Sequence, residues 1–597
     1  MSDYRPPLRD IHFVLEHIVD FEGLRATGAF PNAEPDLIEG ALDEAGRFIS
    51  EVVAPLSRTA DKTGSARQPD GSVVTPPGYR QAYKRFVEAG WPAIAFPEEF
   101  GGGGLPFVVG LAVAEMLTSA DMAFSLCPML TYAADELLLL HGTEEQRATF
   151  LPKLVSGEWT GTMLLTEAQA GSDVGALTAK AVPAGDGTYR ITGTKIFVTW
   201  GEHDLADNIV HVTLARVPGA PPGTKGISLF LIPKVTVNDD GTLGPRNDLV
   251  CVSIEEKVGI HASPTCVLSF GDNDGAVGYL VGEEQQGMRL MFIMMNTARL
   301  HVGTQGMAVA ERAYQQALAY ALERKQGTAV GAPRGTSSPI NQHADVRRML
   351  MLMRSQIEAM RGVMYKTAEA IDVAHSHPDE AVRQKAADFV AIMTPVCKLW
   401  GTETGVELAS LGIQVHGGMG YMEETGAPQF WRDARITPIY EGTNGIQAAD
   451  LVARKLTIGN GSAALALLAE IDEVAERLNG DEGLARIGFQ LHEAVGTLRN
   501  TGVHLLTHLM QDPNDSLAGA TPFTEMFGIV AGGWVHGLSA LAARRLDPEG
   551  KNAFLQAKVA TARFYAEHVL PKVVGLVGSA TAGAEAIFGV PVEAMQG

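Results

Sequence analysis

The sequence is poor in cysteine and in basic residues, and each shortage excludes a class of protein. Its 597 residues include 4 cysteines, none of them in a CxxC pair. This predicts neither a disulfide framework nor a zinc site, and it favours buried thiols in a reducing, cytoplasmic compartment. Lysine and arginine total 47 against 69 aspartates and glutamates, a formal charge of -22. That charge argues against nucleic acid or an anionic membrane as a main partner.

Long apolar segments are also scarce. The first seven residues, MSDYRPP, are not followed by the apolar run of a signal peptide. The nearest candidate for a membrane span, Phe527 to Leu541, is short, broken by glycine and contains His536. We therefore predict no membrane-spanning helix and a buried core helix at this place. A hydrophobic content of 46% and a charged content of 19% describe a globular protein.

Hydrophobic periodicity divides the chain into helical, β-rich and again helical parts, which is the α+β arrangement. Helices are predicted at 36–55, 77–90 and 107–141, and again at 298–325, 346–371 and 387–411. Runs of β-formers, which predict an antiparallel β domain closed as a barrel, lie at 189–199, 208–214, 226–232, 251–255 and 265–270. Helical spacing continues beyond a linker at Gly459–Ser462.

The length predicts several domains. We expect an N-terminal extension (1–35), an N-terminal helical domain (36–160), a β domain (161–284), a helical bundle (285–460) and an additional C-terminal helical domain (461–597).

The most informative segment runs from Arg432 to Gln447 and places Glu441 between Tyr440 and Gly442. Within 436–447, Glu441 is the only ionisable side chain apart from Tyr440. Desolvation on a short apolar turn can raise the pKa of a carboxylate. Such a carboxylate suits a base that removes a weakly acidic C–H proton near neutral pH. The same residues also fit an ordinary surface turn after a buried tyrosine, and the segment alone does not decide.

Two further motifs are small-residue turns. The segment 163–173, MLLTEAQAGSD, offers backbone N–H groups and hydroxyls to a planar or phosphorylated ligand, or forms an ordinary Ser/Thr or Asx turn. The segment 414–421, QVHGGMGY, follows a helix and lacks the third glycine of GxGxxG, so it is not a Rossmann fingerprint. It permits close approach to a pyrophosphate, or it is a helix C-cap with a turn.

Together, in this order and around a β segment, the three motifs resemble the acyl-CoA dehydrogenase family from about residue 36 to residue 456. Further matches are PEEFGG at 97–102, GTKIFVT at 193–199 and LERK at 322–325. The resemblance implies an N-terminal helical domain, a middle β-barrel and a C-terminal four-helix bundle. The run from Tyr4 to Phe13 and the helical tail resemble those of the long bacterial branch of the family. That resemblance implies an additional C-terminal helical domain and a homodimer.

The resemblance implies FAD-dependent α,β-dehydrogenation of an acyl-CoA to a trans-2-enoyl-CoA, with electrons passed to electron-transfer flavoprotein. Glu441 would take the α-proton while flavin N5 accepts the β-hydride. A minority of relatives carry the base at the position of Ala298, where alanine cannot serve. The substrates implied are medium or long straight-chain thioesters, or 3-(methylthio)propanoyl-CoA. An acyl-CoA oxidase and a non-catalytic scaffold remain as alternatives.

The resemblance also assigns binding residues, and no metal ligand is expected. Residues expected to bind FAD are Met163, Leu165, Thr166, Gly171, Ser172, Phe197, Thr199 and Thr443. Those expected to reach the FAD of a neighbouring subunit are Arg324, Gln414 and Gly418. Residues expected near the substrate are Ser172, Arg299, Tyr440 and Gly442. Phe197 stands where many relatives have tryptophan, and Trp200 follows closely. His416 and His343 are interpreted as packed or capping residues.

Overall fold

The computed structural model describes residues 4–238 and 240–596. In that part of the chain the helices are α1 (Leu8–His17), α2 (Phe21–Ala26), α3 (Pro35–Phe48), α4 (Ser57–Thr63), α5 (Tyr79–Glu88), α6 (Phe107–Ala120), α7 (Met122–His141), α8 (Glu144–Ser156), α9 (Gly287–Glu323), α10 (Ala344–Ser376), α11 (Glu380–His416), α12 (Ala427–Ala434), α13 (Asn444–Asp450), α14 (Ser462–Asn479), α15 (Ala485–Leu509), α16 (Pro513–Ala518), α17 (Ala520–Leu546), α18 (Ala553–His568), α19 (Lys572–Thr581), α20 (Glu585–Phe588) and α21 (Val592–Met595).

The strands are β1 (Ala66–Arg67), β2 (Val73–Val74), β3 (Trp159–Leu164), β4 (Lys180–Pro183), β5 (Tyr189–Thr199), β6 (Asn208–Arg216), β7 (Ile227–Pro233), β8 (Val235–Val237), β9 (Leu243–Arg246), β10 (Leu249–Ile254), β11 (Thr265–Phe270) and β12 (Ala276–Val281). The described residues form two compact units. One unit consists of Met1–Phe30, Pro106–Glu115 and Val302–Gly597, and the other of Pro31–Leu105 and Met116–His301. We call them the bundle unit and the barrel unit.

The barrel unit is built on an eight-stranded sheet in which five strands close a ring, β5-β12-β7-β6-β4. Strands β11 and β10 extend the sheet from β5, and β3 pairs with β6. The predicted barrel is therefore present, but it is not purely antiparallel, because β4 within the ring and β3 beside it both run parallel to β6. Leu164, Ile191, Phe230 and Leu268 lie in its apolar core. Met163, which alternates with Leu164 along β3, and Leu165, which follows the strand, pack against a second cluster that includes residues of α7 and α8.

The bundle unit contains the long helices α10 and α11 and the C-terminal helices α14 to α19. Helix α17 packs against α10, α11, α15 and α18. Gly528 of α17 permits a close approach to α11, since a Cβ there would lie 2.2 Å from Cγ of Trp400.

A buried ion cluster also holds this unit together. Arg361 of α10 contacts Glu115 of α6 at 2.7 Å and Glu311 of α9 at 3.0 Å.

The expectation that no segment is long and apolar enough to span a membrane needs correction. By length and composition two helices of the described chain qualify, α7 and α17. Their most apolar windows are 72% and 89% buried inside the protein, as core helices are. The predicted core helix around Phe527 is therefore confirmed, because α17 covers that segment. Its apolar character is explained by packing on every side.

Candidate active site

Glu441 lies in a tight turn of the bundle unit between α12 and α13. Its φ is +56° and that of Gly442 is +82°, so two successive residues adopt left-handed backbone. For a residue with a Cβ this conformation costs about 1–2 kcal/mol. Strained backbone of this kind persists where the surrounding structure over-determines it, and it clusters at functional sites. The glutamate side chain is partly exposed.

Tyr440 fixes the residue before Glu441. Its phenol donates a hydrogen bond to Oε1 of Gln305 on α9. Burial raises the pKa of Tyr440 well above its usual value, and the negative charge of Glu441 raises it further, whereas Gln305 lowers it. The phenol is therefore a neutral hydrogen-bond donor close to the Glu441 carboxylate.

Thr443 begins α13 after the turn. Its hydroxyl accepts a hydrogen bond from the backbone N–H of Ile446 at 3.4 Å, so this side chain is an N-cap. The next residue, Asn444, is buried and bonds to Lys398 Nζ at 2.7 Å. Sequence reasoning missed both Lys398 and Asn444. A signal was present, since Lys398 is a single cation within the otherwise uncharged run 389–402 of α11.

In the barrel unit, the structure brings the predicted residues after β3 together with those on β5. The backbone N–H of Ile196 donates to Thr166 O at 2.9 Å, and the hydroxyl of Thr162 donates to Thr199 O at 2.7 Å. Phe197 has φ +57° and the residue is 59% exposed. These bonds place Thr166 beside the C-terminal end of β5, which carries the exposed Phe197 and the partly exposed Thr199.

Glu167 and Lys195 connect the segment after β3 to β5, and the sequence analysis assigned neither. Lys195 Nζ donates to Glu167 Oε1 at 2.9 Å and to Leu165 O at 3.0 Å. The Glu167 carboxylate also accepts hydrogen bonds from Thr178, Ala179 and the Gln169 side chain. Burial alone would raise the pKa of Glu167, but the charge of Lys195 and these donors hold it at about 2. The Glu167–Lys195 ion pair therefore fixes the position of the turn that carries Thr166.

The remaining predicted residues of the barrel unit differ in their exposure to solvent. Gly171 and Ser172 are exposed, and a Cβ on Gly171 would meet open space. Arg299 is buried, lies over the Phe292 ring at 5.7 Å and donates to Asn296 Oδ1 at 3.3 Å. Trp200 is 1% exposed and donates to Ala123 O at 3.2 Å, so it packs in the core and does not replace Phe197 at the surface.

Three predicted residues of the bundle unit lie near the C-terminal ends of α9 and α11. Arg324, Gln414 and Gly418 are all exposed. The ends of these helices meet where the Tyr320 ring stacks on His416 at 4.6 Å. His416 is buried, bonds to Gly412 O at 2.7 Å, and burial lowers its pKa. It is a packed residue as expected. His343 precedes α10 without a side-chain cap and contacts Gln326 O at 2.8 Å.

Comparison with known protein families accounts for most of the chain. Profiles described as the N-terminal, middle and C-terminal domains of acyl-CoA dehydrogenase match residues 39–158, 162–273 and 285–456. A fourth, described as "Acetyl-CoA dehydrogenase C-terminal like", matches 467–591. The chain belongs to the acyl-CoA dehydrogenase family. This acyl-CoA dehydrogenase is therefore an FAD-dependent oxidoreductase that acts on acyl-CoA, as the resemblance implied.

Among its relatives, 3-methylmercaptopropionyl-CoA dehydrogenase of Ruegeria pomeroyi is 48% identical over 95% of this chain and 96% of its own. The broad-specificity linear acyl-CoA dehydrogenase FadE5 of Mycobacterium tuberculosis is 34% identical, with 96% of each chain covered. Caenorhabditis elegans ACDH-11, solved in complex with C11-CoA, shares the fold with a TM-score of 0.76, 22% identity and coverage of 96% and 93%. The fold is therefore shared along nearly the whole chain.

The residues present fit FAD. The partly exposed Met163 and Leu165 and the exposed Phe197 offer apolar surface to a planar ring, and Thr166 adds a hydroxyl beside them. The exposed Gly171 and Ser172 leave backbone and hydroxyl groups accessible to phosphate. In the described residues no group of three or more His, Cys, Asp or Glu side chains is arranged to hold a metal ion.

Proposed function

We propose that this acyl-CoA dehydrogenase desaturates its thioester substrate with Glu441 as the base. The observation that carries the proposal is the position of this carboxylate on a left-handed turn followed by Gly442, which has no side chain to obstruct a thioester. The Glu441 carboxylate removes the α-proton, and its backbone N–H donates to the thioester oxygen, where negative charge develops. When bound, FAD supplies the acceptor for the β-hydrogen as hydride.

The other predicted residues bind and orient. Met163, Leu165, Thr166, Phe197 and Thr199 contact the isoalloxazine. Gly171 and Ser172 contact the FAD pyrophosphate, and Ser172 also contacts the substrate. Thr443 binds a phosphate or ribose hydroxyl, and Arg324, Gln414 and Gly418 reach the FAD of the partner in a homodimer. Tyr440, Gly442 and Arg299 line the acyl-CoA. The exposure of Arg324, Gln414 and Gly418 supports a role at a subunit surface.

For the acyl group, we propose 3-methylmercaptopropionyl-CoA, the substrate in the name of the relative that is 48% identical. The second candidate is a straight-chain acyl-CoA, since a linear acyl-CoA dehydrogenase is 34% identical. Electrons then pass to electron-transfer flavoprotein, with oxygen as the alternative acceptor. A cytoplasmic location is supported by four cysteines that are free and buried.

The test of the base is Glu441→Gln, which keeps the size and polarity of the side chain but not its basicity. We expect FAD content and acyl-CoA binding to be retained while turnover falls by about 10²–10⁴-fold. Glu407→Gln, an exposed glutamate on α11, is the matched control. Turnover of Glu441→Gln near the wild-type rate would show that another residue is the base.

The substrate is tested by anaerobic bleaching of the flavin with a series of saturated acyl-CoAs that includes 3-methylmercaptopropionyl-CoA. Fastest bleaching with the thioether supports the first candidate, and fastest bleaching with a straight chain supports the second. Oxygen uptake during turnover without electron-transfer flavoprotein would identify an oxidase.

A further inference from the structure

The turn that carries Glu441 is held on both sides by side chains from two other helices. On the side before Glu441, the Tyr440 phenol bonds to Gln305 of α9. On the side after it, Asn444 Oδ1 accepts a hydrogen bond from Lys398 Nζ of α11 at 2.7 Å. Glu441 is therefore bracketed by two contacts in the same unit.

The amide of Asn444 is fully engaged. Its Nδ2 donates to Thr402 Oγ1 at 3.0 Å and to Glu403 Oε1 at 2.8 Å. Lys398 and Thr402 are both completely buried, and they are separated by one turn on the same face of α11. Asn444 also closes the loop itself, because its backbone N–H donates to Pro438 O at 3.0 Å.

The two helices that supply these contacts cross at very short distance. A Cβ on Gly306 of α9 would lie 2.2 Å from Gly401 O, and one on Gly405 would lie 2.5 Å from Gly306 O. Gln305 is adjacent to Gly306, and Thr402 is adjacent to Gly401. The contacts on both sides of the turn therefore arise at a backbone-to-backbone crossing that cannot shift freely.

This rigid support explains how the strained backbone at Glu441 is maintained. A non-glycine residue at φ +56° relaxes unless its neighbours hold it. A base displaced by about 1 Å from a reacting C–H loses about 100-fold in rate. Gln447 adds a weaker contact to the turn through Glu441 O at 3.4 Å, but Asn444 alone connects the turn to buried groups of α11 among the described contacts.

We propose that Lys398 and Asn444 are positioning residues for the base, a statement that rests on the proposed role of Glu441. They act through the turn, and this role needs no contact with substrate or flavin. Lys398 holds Asn444, and the backbone N–H of Asn444 holds Pro438, so both ends of the turn are fixed. The Glu441 carboxylate is therefore in position for the substrate α-carbon before the substrate binds.

The test uses the full-length holoenzyme and one pair of complementary variants. Asn444→Asp keeps an acceptor for Lys398 but removes the donor to Glu403 and places two carboxylates face to face. Adding Glu403→Gln restores a donor, since the amide of the introduced glutamine can bond to the introduced aspartate. Glu441→Gln and Glu407→Gln are measured alongside as the inactive and unperturbed references.

We expect Asn444→Asp to slow anaerobic flavin bleaching at saturating acyl-CoA by about 10–100-fold, with the Kd for enoyl-CoA product changed by less than about threefold. The Asn444→Asp/Glu403→Gln pair should recover to within about threefold of wild type. FAD content should stay at the wild-type level in every variant.

Other outcomes overturn the proposal in distinguishable ways. Wild-type bleaching by Asn444→Asp, with Glu441→Gln inactive, would show that the Asn444 bond to Glu403 does not position the base. Wild-type bleaching by Lys398→Met, which removes the donor to Asn444 Oδ1, would show the same of the Lys398 contact. A slow Asn444→Asp that the second change does not rescue, or one that has lost FAD in proportion, would leave these residues a structural role only. An active Glu441→Gln would remove the base assignment itself.

Discussion

Glu167→Gln tests how the proposed flavin-binding segment around Thr166 is held in place. Five hydrogen bonds converge on this buried carboxylate, from Lys195, Gln169, Ala179 and both donors of Thr178. A glutamine in its place directs an amide N–H₂ toward at least one of these donors. It also removes the counter-charge of the Lys195 ammonium, which is 1% exposed. Burial lowers the pKa of Lys195, and Glu167 opposes that effect.

The magnitude follows from two independent considerations. Holding the Glu167 pKa at about 2 instead of 4.5 corresponds to about 3 kcal/mol in favour of the ionised form. Removing one partner of a buried ion pair costs about 3–5 kcal/mol. For a unit of this size, where 1 kcal/mol shifts the melting temperature by about 2–4 °C, we expect a loss of about 3–5 kcal/mol to lower it by about 6–20 °C. FAD should dissociate more easily, because Glu167 follows Thr166 directly.

The pH dependence has a defined sign. Because the folded pKa of Glu167 is depressed, its contribution is complete above the unfolded value of 4.5 and disappears as pH falls towards about 2. The difference in stability between wild type and Glu167→Gln should therefore narrow as the solution is acidified through this range.

The assay is thermal release of FAD, followed by the rise in flavin fluorescence. Glu167→Gln/Lys195→Met removes both charges and should recover most of the lost melting temperature, because neither ion is then left alone. A melting temperature of Glu167→Gln within about 1 °C of wild type would refute the reasoning. So would a double variant no more stable than the single one.

Two further predictions concern buried charges. Arg361→Met leaves the Glu115 and Glu311 carboxylates without their shared cation and should cost about 3–5 kcal/mol in urea unfolding; a loss below about 1 kcal/mol would contradict this. Burial raises the pKa of Glu136 to about 7, although its hydrogen bond from Thr297 lowers it. Since protonation is favoured in the folded state, stability should decline as pH rises from 4.5 through about 7, and this decline should vanish in Glu136→Gln. Parallel melting curves for the two proteins across this pH range would disprove it.

Local patterning predicted many elements well. The β-branched and aromatic run at 189–199 coincides with β5, and the helical spacing at 346–371 falls within α10. The linker near residue 460 is a break of three successive left-handed residues, Gly459, Asn460 and Gly461. Strands β3 and β12 were missed, because short segments carry little period-2 signal and their pairing partners are distant in sequence.

The sequence by itself determined the family, the cofactor and the segment that carries the proposed base, because ligand-binding turns need particular residues at fixed spacing. Only the tertiary structure decided how those turns are held. Glu441 and Phe197 have left-handed backbone angles that the sequence does not reveal. The Glu167–Lys195 pair joins residues 28 positions apart, and the Lys398–Asn444 contact joins residues 46 positions apart. Composition does not show which charges are buried, because a buried charge is stabilised by a partner that only folding brings within hydrogen-bonding distance.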